Sequence, residues 1–411
     1  MSTFLPEATP QMKRFLIGAL LNSLGGGLTL PVMVVYLNQV RHMSMSSASL
    51  VLSWMAITGL AFSPIFGTLV DRFGPRPILL GSILIEAIGT ASWSLADSVP
   101  RAYLVGTVVA LGNAGIWPPQ STLMSRMVSA EDRQKFFGLQ FMALNLGLGV
   151  GGMVSSFIVR VERPESFTTL YLLDAASYLT YFAFIASLRG IGGRLKLEEG
   201  EEENAGSYRE VLRDRRLIKL SIVGVVMMTC GYASMDAGLP ALLTVYGGLS
   251  VSQLGPLWAV NTSVIVVLQI SILNRLEGRS RTRLLGVVCA LWAAGWFVTG
   301  IGVARPGATF FLACVGTAIF AVGETIWSPI GASLQNVIAP EHLRGRYNAI
   351  SGLVWVISGT LGPAISGVLL QQARVNLWLG MILVGLTIAG FLGVRLRQEL
   401  TPEEDGRILS N

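Results

Sequence analysis

Charge is scarce in this sequence. Only 13% of its 411 residues are Asp, Glu, Lys or Arg, about half the share usual in a soluble domain. With 52% apolar residues, such a chain cannot cover itself with polar surface. Lipid must be its solvent, and the expected class is an all-α integral membrane protein. Histidine occurs twice, at His42 and His342, both near loops, so no His-based metal site or triad can be assembled and no metal is expected. The three cysteines, Cys230, Cys289 and Cys314, fall inside apolar stretches and read as packed thiols rather than disulfides or ligands. No G-x(4)-G-K-[ST] phosphate loop occurs, and no nucleophile–base pair stands out. Neither enzymatic activity nor a cofactor is therefore expected. Basic and aromatic residues are not interleaved on any polar segment, so a nucleic-acid partner has no support.

Long apolar runs are what the chain has in abundance. Twelve are legible, at roughly 14–38, 48–70, 77–97, 102–126, 136–159, 167–188, 217–245, 250–273, 283–303, 307–333, 346–370 and 374–395. Each is long enough to cross a hydrocarbon core of about 30 Å as a helix. Lys13-Arg14 leads into an apolar run too long for a signal peptide and without a cleavage site after it, so no cleaved leader is expected. Between the sixth and seventh runs lies a polar segment, 189–216, with Glu198, Glu199, Glu201, Glu202 and Glu203 followed by Arg209, Arg213, Arg215 and Arg216. It reads as a solvated linker. The expected organisation is an N-terminal six-helix bundle over 1–188, the linker over 189–216, and a C-terminal six-helix bundle with a tail over 217–411.

The basic residues orient these spans. With the N-terminus inside, 24 of the 30 Lys and Arg residues fall in cytoplasmic segments. The six outside are Arg41, Arg101, Arg160, Arg163, Arg305 and Arg374. This asymmetry follows the positive-inside rule and predicts cytoplasmic termini in a cell membrane, plasma or inner. The net charge of +6 thus reports topology.

The chain also repeats itself. Shifted by 210 residues, 105–156 lies on 315–366 without a gap. Ile116-Trp117-x-Pro119 meets Ile326-Trp327-x-Pro329, and Gly149 and Gly152 meet Gly359 and Gly362. A shift of half the chain means two pseudo-symmetric halves of one design, the pattern of a transporter with its site between repeats.

The sharpest local motif follows the second span: Gly67-Thr-Leu69-Val-Asp71-Arg72-Phe-Gly74-Pro75-Arg76. Gly67 permits close helix approach. Asp71 ends the span where a carboxylate can face the positive N-terminus of a neighbouring helix. Gly74 and Pro75 make a tight turn. Arg72 and Arg76 hold the loop inside and can pair with Glu131 or Asp132. This stretch resembles the cytoplasmic-loop signature G-x-L-a-D-R-x-G-R-[RK] of the major facilitator superfamily, with Pro75 where a first basic residue is usual. The loop after the eighth span, Leu273-Asn274-Arg275-Leu-Glu277-Gly278-Arg279, is similar but degenerate. Leu24-Gly25-x5-Pro31 and Gly231-Tyr232 with Leu239-Pro240 resemble the family's kinked gating helices. Gly147-x-Gly149-x-Gly151-Gly152 and Gly359-x-x-Gly362-Pro363-x-x-x-Gly367 resemble its exporters' Gly-rich helices. The nearest branch in pattern is the twelve-span drug–proton antiporters. Many of these carry an arginine four residues before the fourth-span glycine, where this chain has Val108 before Gly112.

The resemblance implies a monomeric secondary transporter working by alternating access, with protons and a small molecule as its partners in the lipid bilayer. A multidrug-type exporter comes first, and an importer, symporter or lipid transporter is the alternative. Four acids lie inside spans: Glu86, Asp174, Asp236 and Glu324. A charge in hydrocarbon is costly, so each is a functional candidate. Glu324, mid-span, and Asp236, four residues before Pro240, are the proton-coupling candidates. The family fold places Glu86 and Asp174 at the periphery. Candidate cavity residues are Asn22, Asn113, Trp117, Gln140 and Asn145 in the first half, and Tyr232, Asn261, Gln269, Trp327 and Trp355 in the second. This apolar, aromatic and amide-bearing set suits a moderately hydrophobic solute better than a sugar or phosphate ester.

Overall fold

The computed structural model describes residues 9–29, 32–33, 36–129, 132–193, 207–250 and 253–407; the side chains of 45, 46, 49, 156, 236 and 237 lie outside that description. The described residues form helices and contain no strand. They are α1 (Pro10–Thr29), α2 (Met45–Phe73), α3 (Pro75–Ala91), α4 (Val99–Ala114), α5 (Trp117–Met127), α6 (Arg133–Ile158) and α7 (Pro164–Ala186). After the linker come α8 (Arg215–Met228), α9 (Ser234–Ala241), α10 (Leu254–Leu276), α11 (Arg281–Val303), α12 (Thr309–Ile338), α13 (Arg344–Gln371) and α14 (Val375–Arg395). Large apolar side chains such as Leu104, Phe157, Val267 and Phe311 stand exposed, the reverse of the polar cover a water-soluble protein needs.

Among the described residues, ten helical segments are long and apolar enough to cross a membrane. They correspond to ten of the twelve apolar runs; the first and fourth fall short. α1 has 20 residues and starts with Lys13 and Arg14 in its first turns, while Leu30, Pro31, Val34 and Val35 lie outside the described residues. The fourth run is divided, because the chain turns at Gly115–Ile116 between α4 and α5. The repeat mate of this turn runs unbroken through α12, across Pro329. The difference is chemical. Gly115 and Pro118 stand where the second half has Thr325 and Ser328. Two successive prolines, Pro118 and Pro119, remove two backbone donors where Pro329 removes one. A side chain at Gly115 would also collide with Ser82 and Phe66.

The chain divides into two compact units, one of residues 1–208 with 339–352, the other of 209–338 with 353–411. In the first, α1 lies along α6 and α7, α3 packs on α4 and α7, and α2 packs on α4. The α1–α6 crossing is close because glycines sit in it: a Cβ at Gly151 would run into the Leu24 carbonyl, and one at Gly147 would meet Ser23 and the Leu20 carbonyl. In the second unit, α11 packs on α12 and α14, α10 on α12, and α8 on α14. Gly362 there lies against Ala233, whereas Gly359 and Gly367 face open space. The Gly-rich pattern of the second half therefore contributes one close contact rather than a continuous seam.

The duplication recurs in the backbone. The first span of each unit ends in a π-turn, Tyr36–Val40 in one and Leu242–Tyr246 in the other. Arg41 N donates to Tyr36 O and Met43 N to Leu37 O; Gly247 N donates to Leu242 O and Leu249 N to Leu243 O. A further π-turn, Thr229–Ala233, interrupts the span that begins with α8. Its irregularity thus starts before Pro240, at the Gly231-Tyr232 pair, and such bulges frequently mark functional sites.

Candidate functional site

Asp71 occupies the last turn of α2. Its Oδ1 accepts from Gly345 N at 2.7 Å, and its Oδ2 accepts from Arg346 N at 3.2 Å and Arg346 Nη1 at 3.1 Å. The carboxylate thus sits on the first turn of α13, where backbone amides lack helical partners and the helix dipole is positive. Gly67 makes room for this arrangement, since a Cβ there would meet Ala349, Tyr208 Oη and the Gly345 carbonyl. Tyr208 Oη donates to Pro64 O one turn back on α2, and burial pushes its phenol up to about 12. Asn348, one turn into α13, accepts from Ser121 Oγ at 2.8 Å and donates to Thr122 Oγ1 at 3.3 Å.

Gly74 holds φ 90, a conformation only glycine takes readily, and Pro75 opens α3. The basic residues of the motif do not meet Asp132. Arg76 donates through Nε to Ile185 O at 3.2 Å and through Nη2 to Ala186 O at 2.5 Å. It serves the negative C-terminal end of α7, which competes well for a cation. Arg72 is exposed, its guanidinium 5.3 Å from the Phe73 ring centroid. Asp132 interacts with Ser129 instead, and Glu131 lies outside the described residues.

In the second unit the structure brings several candidates together. Glu324 is 3% exposed, midway along α12. Its Oε2 accepts from Asn261 Nδ2 of α10 at 2.5 Å. Two turns along α10, buried Gln269 donates to Thr325 O at 3.2 Å. Tyr232, on the π-turn, lies 5.1 Å from the Trp355 ring and packs on Trp292 and Phe320, which stack at 4.8 Å. Gly231 and Gly323 both leave space for the Trp292 indole. Trp292 and Phe320 were not among the sequence candidates, because an aromatic inside an apolar run carries no signal of its own. Trp327 is half-buried and lies over Gly331 of its own helix. Asp236 belongs to α9, but its side chain lies outside the described residues.

The first-unit candidates are less concentrated. Asn22 is half-buried, and its Oδ1 has no partner among the described residues. Trp117 opens α5, also half-buried, and Gln140 is buried in α6. Asn145 donates to Phe141 O of its own helix at 3.0 Å. Asn113 is exposed, close to Glu86. Glu86 and Asp174 are both buried between helices. Glu86 Oε1 accepts from Tyr178 at 3.3 Å, and Gly112 leaves room for its carboxyl. Asp174 Oδ2 accepts from Thr29 at 2.6 Å, at the α1–α7 crossing where Gly25 has no side chain to obstruct it. No group of three or more His, Cys, Asp or Glu side chains with metal-binding geometry occurs among the described residues.

The sequence pattern of the Major Facilitator Superfamily matches residues 15–363. The chain belongs to that family. Members are membrane transporters, and this chain is a multi-pass member of the superfamily. It is 23% identical over 389 residues to the uncharacterized MFS-type transporter YdeE of Escherichia coli (strain K12), covering 93% of this chain and 95% of that one. It is 26% identical over 314 residues to the multidrug resistance protein MdtH of Klebsiella pneumoniae (strain 342), covering 75% and 73%. Its fold is similar to that of a bacterial homologue of the iron transporter ferroportin in an outward-facing state, with TM-score 0.77 and 14% identity over 94% of this chain and 99% of that one. The human organic anion transporter MFSD10 superposes with TM-score 0.72 at 16% identity, covering 95% and 99%. The superfamily fold thus extends over nearly the whole chain.

Proposed function

We infer that this transporter is a proton-coupled exporter of moderately hydrophobic small molecules, working by alternating access as a monomer. The supporting observation is the pair Asn261–Glu324. A carboxylate held by an amide, 3% exposed inside an apolar unit, is costly to keep charged and inexpensive to protonate. Protonation removes the charge while the hydrogen bond with Asn261 can persist, since a protonated carboxyl still accepts. The aromatic group of Tyr232, Trp292, Phe320 and Trp355 lies in the same unit and suits an apolar or cationic solute. MdtH proteins, named for multidrug resistance, are among the similar sequences. In this reading the twelve apolar runs all cross the membrane, both termini lie in the cytoplasm of a plasma or inner membrane, and the Asp71 clasp on α13 holds one closed state. Asp236 is the second acid that divides proton and substrate recognition with Glu324.

A panel of lipophilic dyes in everted vesicles tests the reading. Dye uptake should appear when a proton gradient is imposed and vanish with an uncoupler. Uptake that is indifferent to the gradient would contradict proton coupling.

A further inference from the structure

A cleft of about 430 Å³ opens in the first unit between the end of α5, the 190–193 loop and the residues preceding α13. Its lining includes neither the acids within the spans nor the aromatic group described above. Three guanidinium groups line it, Arg126, Arg133 and Arg344, against one carboxylate, Glu341. The Arg344 side chain is only 8% exposed, and its Nε has no hydrogen-bond partner among the described residues. Its nearest acid, Glu341, is 3.8 Å away and 57% exposed, a loose contact. Arg126 donates through Nη1 to Gly193 O at 3.0 Å, yet its buried Nε also lacks a partner. Arg133 donates through Nε to Ser125 O at 3.2 Å. Among the described lining residues one carboxylate therefore stands against three cations, with Asp71 the next acid to act on Arg126 and Arg344, and two buried N–H groups have no acceptor among the described residues. Leaving such groups unsatisfied is expensive, more so when they are charged.

The missing partner must be an oxyanion with several acceptor atoms. A guanidinium is a planar fork that matches phosphate oxygens two at a time. Arg344 opens α13, so the positive end of that helix's dipole adds to the field of the guanidinium groups, while the amides of Gly345 and Arg346 serve Asp71. The volume lies within the range of small-ligand sites, roughly 300–1,000 Å³. We propose that the cleft between Arg126, Arg133 and Arg344 binds a phosphate-bearing anion, either free or as the headgroup of an anionic phospholipid. Arg344 immediately precedes Gly345 and Arg346, the residues that hold Asp71. A phosphate drawn onto Arg344 fixes the start of α13 where it meets Asp71, so occupancy of the cleft stabilises that clasp.

The test uses the full chain in nanodiscs of neutral phosphatidylcholine. Inorganic phosphate is titrated against sodium chloride at matched ionic strength, and the thermal unfolding midpoint is followed. In a second arm the nanodiscs contain increasing phosphatidylglycerol at constant salt. The wild-type midpoint should rise saturably in at least one arm, and the arm that responds identifies the source. Arg344→Gln and Arg126→Gln should each weaken that response about tenfold, the expected loss for one hydrogen bond to a charged group. Arg133→Gln, at a residue less buried than Arg344, provides a further variant and should weaken it in the same direction. A flat midpoint in both arms, or a response unchanged in all three variants, would overturn the proposal.

Discussion

Asp71 and Arg346 form an ion pair at 3.1 Å with side chains 4% and 7% exposed, and Asp71 also accepts from the backbone N–H groups of Gly345 and Arg346. These residues are 275 positions apart in sequence. A carboxylate at the end of one helix has found the amide-rich start of another, which satisfies α13 donors that would otherwise be orphaned. The pair is buried, so removing the carboxylate costs more than breaking an exposed contact would.

Asp71→Asn should therefore weaken this junction while leaving the chain in the membrane. The amide still accepts from Gly345 but no longer neutralises Arg346. Initial rates of dye transport should fall about tenfold, which corresponds to roughly 1.4 kcal/mol in a barrier. Membrane content, measured by immunoblot, should change little. Transport at the wild-type rate would show that the clasp does not take part in the cycle.

Gly151→Ala and Gly359→Ala separate tight helix crossings from mere glycine content. A methyl at Gly151 collides with the Leu24 carbonyl, whereas one at Gly359 meets nothing within 4 Å. The first substitution should cost about 1–3 kcal/mol through overpacking; the second should be neutral or slightly stabilising, since alanine favours helix. Thermal midpoints in detergent would measure both. Equal midpoints for the two variants would contradict the described α1–α6 packing.

The basic residues make a prediction about topology. A reporter active only in the cytoplasm, fused after Asn411 or before Met1, should be active in both positions. A reporter that works only outside the cell should be silent there. Activity of the external reporter at either end would reverse the orientation.

Much of this architecture was readable from composition and periodicity, because membrane helices are specified by length and apolarity rather than by pairing partners. Ten of the apolar runs emerge as long helices. The division between α4 and α5 was also written in the sequence, as Gly115 and the adjacent Pro118-Pro119, but a count of apolar residues passes over it. Gly67, Asp71 and Gly74 stood out because a polar motif in an apolar chain is conspicuous. Their partners did not. Gly345, Arg346, Asn348 and Tyr208 are ordinary residues until folding sets them beside α2. Asn261 and Glu324 were each conspicuous as polar groups in apolar runs, yet nothing in their spacing of 63 residues pairs them. The cleft at Arg344 was hidden for the same reason: an arginine beside a loop signals topology first, and only a buried Nε without an acceptor among the described residues distinguishes it.

If Glu324 carries the coupling proton, as inferred above, Glu324→Gln should uncouple the transporter. The amide keeps the shape and the capacity to hydrogen-bond Asn261 but cannot titrate. Wild type, Glu324→Gln and Asp236→Asn would be reconstituted in proteoliposomes, and gradient-driven dye uptake measured beside equilibrium dye binding. Glu324→Gln should abolish gradient-driven uptake while dye binding stays within a few-fold of wild type. Full gradient-driven uptake by Glu324→Gln would show that this carboxyl does not carry the coupling proton.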